Sequence, residues 1–251
     1  MKIAVCMSGH FRFADYTSRQ NKWFYDLLKS EFDADIFLHT WSDKKQVILT
    51  DHLYKFTDIH LDKNVPNTPH WWGQWISLSR CLDLVNSYNK DYDVVIRVRP
   101  DNLIFPFNTE FKGLMKKVVN DNTILTDAIW GKNEVLHIQD QLFMTTYSTF
   151  NYMFNKENVM SVLEQSKTNS KIRSVSIVGF LLQSIPYTEG NLIKAFTYTD
   201  YFKQKLCRPP HLNIKYEELN HATAREIYND YRQQRQILKD NSPTDTYEDW
   251  I

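Results

Sequence analysis

The chain has 251 residues, of which 42% are hydrophobic, 24% charged and 14% aromatic, and its 30 Lys+Arg balance 30 Asp+Glu. That describes a globular domain long enough to bury a sizeable core, and zero net charge excludes a general nucleic-acid binder, which needs a basic excess. Six glycines with no G-x-G-x-x-G and no G-x-x-x-x-G-K-[ST] run remove the sequence basis for a dinucleotide-binding Rossmann turn or a P-loop.

Lys2 to Met7 reads as a buried first strand, ended by Ser8-Gly9. It shows no small-residue cleavage site, so a strand is expected rather than a signal peptide. Thr17 to Phe32 follows as a helix, with Trp23, Phe24, Leu27 and Leu28 on one face. Asp35 to Thr40 is a second buried strand. Gln46 to Leu49 and Thr57 to Leu61 read as short strands, and Asn64 to Pro69 as a loop. From Trp71 to Tyr88 the spacing of Trp75, Leu78, Leu82 and Val85 predicts a helix. Asp93 to Val98 is the next buried strand, stopped by Pro100. Thr123 to Thr126 and Leu142 to Thr146 read as strands. Val159 to Gln165 and Ser174 to Ser184 lean helical, Leu192 to Tyr198 leans to strand, and Ala222 to Lys239 is a polar helix.

Strand alternating with helix, with continuous apolar strands, predicts an α/β fold on a mostly parallel sheet flanked by helices. One domain over residues 1–251 is expected, with about 200–251 as a C-terminal helical extension. Cys6, Cys81 and Cys207 are few, odd in number and far apart, so neither a disulfide framework nor a zinc site is expected. The histidines hold no H-x-x-x-H pair, which also speaks against zinc. No apolar run approaches the roughly 20 residues of a membrane span. A soluble, cytoplasmic protein is the expectation.

In a parallel α/β sheet, ligands bind beyond the carboxyl ends of the strands. The segment there with most chemistry is Tyr92-Asp93-Val94-Val95-Ile96-Arg97-Val98-Arg99-Pro100-Asp101-Asn102. Arg97 and Arg99 are two apart, so both leave the strand on one side. Pro100 ends the pairing and presents Asp101 at the strand tip. Guanidinium groups suit phosphate, and a carboxylate suits Mg²⁺ or Mn²⁺. The three residues describe either a site for a metal-bound diphosphate or an ion-pair network that pins the strand end.

Four stretches, taken in order, resemble a group of small bacterial and viral glycosyltransferases. They are Ile3-Ala4-Val5-Cys6-Met7-Ser8-Gly9-His10-Phe11-Arg12, Asp35-Ile36-Phe37-Leu38-His39-Thr40-Trp41, the R-x-R-x-D run ending at Asp101, and Asp140-Gln141. The resemblance covers Lys2 to Met153. It implies a GT-A-like fold, of the kind found with lipopolysaccharide or capsule genes and in large viruses. It also implies transfer of a sugar from a nucleotide-diphosphate sugar to a saccharide or glycan acceptor, in polysaccharide biosynthesis. The compartment would be the cytoplasm, or the host cytoplasm for a viral protein.

On that resemblance Asp101 would hold a divalent metal, Mn²⁺ or Mg²⁺, on the departing diphosphate. Arg99 stands where the usual D-x-D pair has its first Asp, so Arg97 and Arg99 would carry part of the phosphate charge. Ser8, Gly9 and Arg12 would bind the nucleotide sugar; the bland reading is a turn at Gly9 and a solvated helix start at Arg12. Asp140 would act as catalytic base or acceptor ligand, against an ordinary turn cap. Trp130 is a candidate acceptor platform with Asp127 as a hydroxyl ligand. Trp75 and one of Trp71 and Trp72 read as core, and His39 and Trp41 as packed structure. The alternatives are a non-catalytic carbohydrate- or nucleotide-sugar-binding protein and a nucleotidyltransferase.

Overall fold

The computed structural model describes residues 1–9, 17–19, 21–41, 51, 53–62, 71–104, 111–126, 129–132, 135–138, 142–172, 177–178, 181, 194–197 and 204–206. The chain divides into two compact units, Met1–Lys205 and Leu206–Ile251, and the elements that follow belong to the first. The expected strand over 46–49 and helix over 222–239 lie outside the described residues, as does most of the helical stretch over 174–184.

The strands wholly within this unit are β1 (Lys2–Ser8), β2 (Asp33–Trp41), β3 (Asp58–Asp62), β4 (Val94–Val98), β5 (Asn102–Ile104), β6 (Thr123–Thr126), β7 (Ile129–Lys132), β8 (Val135–Ile138), β9 (Leu142–Thr146) and β10 (Lys194–Thr197). The helices are α1 (Lys22–Glu31), α2 (Trp72–Ser87), α3 (Phe111–Asn120), α4 (Tyr147–Phe154) and α5 (Lys156–Gln165). A seven-stranded sheet carries the fold, in the order β10-β6-β9-β4-β1-β2-β3. The pairs β3–β2, β2–β1, β1–β4 and β6–β10 are parallel. Only β9 is reversed, antiparallel to both β4 and β6. The expected α/β class, a mostly parallel sheet flanked by helices, is what the chain adopts. β7 and β8 form a separate antiparallel pair.

Both faces of the sheet are covered, which explains the unbroken apolar runs. Along β1 the side chains alternate between two cores. Ile3, Val5 and Met7 pack with Phe24, Tyr25 and Leu28 of α1 and with Phe111, Leu114 and Met115 of α3. Ala4 and Cys6 pack with Trp75, Leu78, Cys81 and Leu82 of α2 and with Phe150, Phe154 and Leu163 of α4 and α5. Trp75 is core, as its spacing indicates: it is fully buried and its ring lies parallel to that of Phe154. Trp72 is buried as well. Cys6 and Cys81 are both buried free thiols.

Local chemistry sets the ends of the helices. The Thr146 side chain accepts from the Thr149 N–H to start α4, and Asn155 accepts from Asn158 to start α5. Past α2 and α3 the chain turns through Asn89 and Asn122 at φ 50° and 46°. Asparagine enters that left-handed region more readily than most residues. The helix expected from Thr17 is regular from Lys22; Thr17–Arg19 are helical and Asn21 precedes the first turn.

Candidate functional site

Chain order runs β1, β2, β3 toward one edge and then returns to place β4 on the other side of β1. That reversal makes the carboxyl ends of β1 and β4 the topological switch point, where open α/β sheets bind ligands. Parallel pairing in register sets the residues there: Cys6 faces Arg97 and Ser8 faces His39. Side chains two apart share a face, so Ser8, Arg97, Arg99, His39, His60 and Asp62 make one polar row across four strand ends. Helix α2 lies over this row. It starts at the carboxyl end of the strands because it returns the chain from β3 to β4.

Arg97 is wholly buried, and its Nη1 donates to the Ser8 carbonyl at 3.3 Å. Arg99 is 8% exposed and Asp101 0%. They form a two-pronged pair: Nε donates to Asp101 Oδ1 at 2.9 Å and Nη2 to Oδ2 at 2.8 Å. The remaining arm, Nη1, donates to Gln74 Oε1 at 2.9 Å, in the first turn of α2. That turn carries no acidic residue and no side-chain cap. Its uncapped N–H groups and the positive end of the helix dipole therefore add to the guanidinium charge.

The loop after β4 is fixed from the other face. Thr17 Oγ1 donates to the Pro100 carbonyl at 2.6 Å, and Asn21 Nδ2 donates to the Asn102 carbonyl at 2.6 Å. Asn21 Oδ1 in turn accepts from Ile104 N at 2.8 Å. Gly9, at φ 119°, needs glycine for its backbone angle and not for space, since a Cβ would meet nothing within 4 Å. Its N–H donates to Ser77 Oγ at 3.0 Å. The Ser8 hydroxyl is buried and finds no partner among the described residues. A buried, unsatisfied hydroxyl at the switch point invites a ligand group.

Asp101 alone is a poor seat for Mg²⁺ or Mn²⁺. Such ions prefer about six oxygen ligands, whereas both Asp101 oxygens already accept from Arg99. The structure brings Ser8, Gly9, Arg97, Arg99 and Asp101 together. Arg12, Asp127, Asp140 and the Trp130 side chain lie outside the described residues. The backbone of Trp130 pairs with His137 across the β7–β8 hairpin.

Sequence reasoning set His39 apart as structure and missed its neighbours. Among the described residues, one group could hold a metal ion: His39, His60 and Asp62. Register puts His39 beside His60, and Asp62 follows on the same face. His39 Nε2 lies 2.8 Å from Asp62 Oδ2, and His60 Nε2 lies 3.2 Å from Oδ1. The two rings stack, 5.4 Å apart. Arg80 of α2 is ion-paired with the same carboxylate. Burial, then the positive potential of His60 and Arg80, pushes the His39 pKa down to about 3, so this imidazole is neutral at neutral pH. An H-x-D pair on the strand after a strand-end histidine was the signal available; H-x-x-x-H is a helical spacing and could not reveal it.

The fold and site define an α/β protein with two buried arginines in a polar row at its switch point. No family model and no curated protein matches the chain. Solved structures do align with it. A glycosyltransferase involved in the glycosylation of the major capsid of PBCV-1 aligns at 10% identity and TM-score 0.43, over 78% of this chain and 82% of that one. A Bacillus anthracis protein described as a glucose-1-phosphate thymidylyltransferase, in complex with sucrose, aligns at 9% and 0.44, over 82% and 88%. Likenesses this remote carry no activity from one protein to another.

Proposed function

We propose that the chain is a GT-A-like glycosyltransferase, moving a sugar from a nucleotide-diphosphate sugar to a saccharide or glycan acceptor. The observation that carries this is the pair of buried arginines at the switch point. Two guanidinium groups on one strand face, beneath an uncapped helix start, make a concentrated positive site inside a chain of zero net charge. Desolvated cations are costly unless something anionic shares the site. Asp101 pairs with Arg99, and a diphosphate is an anion whose oxygens suit planar guanidinium donors.

In this reading Asp101 aligns the plane of Arg99, while Arg99 and Arg97 take the charge that grows on the leaving diphosphate. Ser8, Gly9 and Arg12 line the nucleotide side. Asp140 takes the proton from the acceptor hydroxyl or binds the acceptor, and Asp127 and Trp130 meet the acceptor sugar. Two features support Asp140 in that place. It precedes β9 by two residues, and β9 opens with Leu142 opposite Val98, at the end of β4 that carries Arg99.

The test is release of nucleoside diphosphate from a panel of nucleotide sugars, with Mn²⁺ or with EDTA. One donor is expected to turn over, and Arg99→Met to slow it about 100-fold or more. Turnover that survives EDTA assigns the charge to the arginines. Turnover lost in EDTA, restored by Mn²⁺ and lost again in Asp101→Asn makes Asp101 the metal ligand instead. Asp140→Asn is expected to keep donor binding and lose transfer. If no donor is hydrolysed and none raises the melting temperature, the transferase reading fails. Donor binding without turnover would favour a nucleotide-sugar-binding protein.

A further inference from the structure

We propose that His39 Nε2, His60 Nε2 and the Asp62 carboxylate form a site for a borderline divalent transition metal, Zn²⁺ or Co²⁺, at the β2–β3 edge of the sheet. The proposal does not rest on the glycosyltransferase reading. Two imidazoles and one carboxylate are a donor set that suits such ions better than Mg²⁺ or Ca²⁺. Three protein ligands leave a fourth position for water.

The spacing fits. Bonds of about 2.0–2.2 Å put neighbouring ligand atoms of a tetrahedral zinc roughly 3.3 Å apart. Here the two Nε2 atoms stand 2.8 and 3.2 Å from the Asp62 oxygens, and the three ligand atoms lie within 4.8 Å of one another. The site is also reachable: His60 is half exposed and Asp62 21% exposed, while His39 is buried behind them.

Hydrogen bonding behind the site orients it. Ser77 Oγ accepts from Gly9 N at 3.0 Å and donates to the His39 carbonyl at 3.1 Å. His39 Nδ1 lies 2.8 Å from the same oxygen. The tautomer protonated on Nδ1 donates to Ser77 and leaves the Nε2 lone pair for an ion, whereas the other tautomer lets Nε2–H donate to Asp62 when no ion is bound. A ligating histidine held through its other nitrogen is the usual arrangement in metal sites. On the carboxylate side Arg80 is 41% exposed, and its guanidinium already reaches over the Trp41 ring at 5.5 Å. It can yield one Asp62 oxygen to the ion and keep the other.

Bound metal would tie β2 and β3 to α2 through Ser77, the residue that also holds Gly9 at the switch point. The experiment is Co²⁺ titration of tag-free full-length protein, followed by the visible absorption of a tetrahedral Co²⁺ centre. One equivalent is expected to bind. His60→Gln and Asp62→Asn are expected to abolish the band, and Asp101→Asn to leave it unchanged. Ser77→Ala is expected to weaken affinity about 10-fold. Zn²⁺ is expected to displace Co²⁺ and to raise the melting temperature of the native chain but not of His60→Gln. His60 faces solvent, so that variant folds, and circular dichroism without metal checks it. Absence of the band, or a band that persists in His60→Gln, overturns the site whatever the outcome with nucleotide sugars.

Discussion

At the centre of the sheet the ion pair of the polar row is buried, whereas at the β3 edge the Asp62–Arg80 pair reaches solvent beside two imidazoles. Arg97, Arg99 and Asp101 are 0%, 8% and 0% exposed. Arg99 and Asp101 are joined by two charged hydrogen bonds. At the edge, Asp62 and Arg80 reach solvent, and His39 carries no charge at neutral pH. Both ends use one register, one sheet face and one helix. Depth alone separates them. The central group is therefore sensitive to the loss of any member, while the edge group is tolerant and open to an incoming ion.

The largest expected effect comes from breaking the central pair. Arg99→Met removes both charged hydrogen bonds to the buried Asp101 carboxylate and is expected to cost about 3–5 kcal/mol in urea unfolding. Arg99→Met with Asp101→Leu is expected to recover much of that, because neither member of the pair is left buried without the other. A single-mutant loss below ~1 kcal/mol would mean that the centre is as tolerant as the edge. Ser77→Ala comes next, at about 1–3 kcal/mol, because it removes the partner of both Gly9 N and His39 Nδ1.

A third contrast lies at the other end of β2. Burial raises the Asp35 pKa, but hydrogen bonds from Lys90, Tyr92 and Thr57 outweigh it and hold the carboxyl below its usual value. A folded-state pKa below the unfolded one adds stability that is present above about pH 4 and is lost as pH falls through the lowered value. Lys90→Met is expected to cost about 1–2 kcal/mol at pH 7, and the gap from the native chain is expected to shrink below about pH 4 in a pH series of unfolding curves. The smallest effect is expected from Arg80→Met, under about 1 kcal/mol, since that ion pair is solvent-exposed. A larger loss would show the edge to be as tightly coupled as the centre.

Much of the fold was legible because burial writes itself into sequence. β6 and β9 match their apolar runs residue for residue, and β1, β2 and β4 to within one or two residues at each end. The α2 helix was visible in the spacing of Trp75, Leu78 and Leu82. α3 was overlooked although Phe111, Leu114, Met115 and Val118 carry the helical period. α4 was hidden because Thr146 caps it directly out of β9, with no loop between. The shared face of Arg97 and Arg99 followed from strand alternation. That Arg99 reaches forward to grip both oxygens of Asp101 did not, since the turn at Pro100 decides whether the two side chains meet.

The sequence by itself determined the α/β class, the buried strands and the presence of arginines at a strand end. Those depend on local periodicity and composition, which act along the chain. The reversal of β9, the return of β4 to the far side of β1, and the meeting of His39 with His60 and Asp62 were decided only by the tertiary structure. They depend on strand direction and register, and hydrogen bonds between distant segments set both. The same side chains would satisfy alternation equally well with their neighbours chosen otherwise.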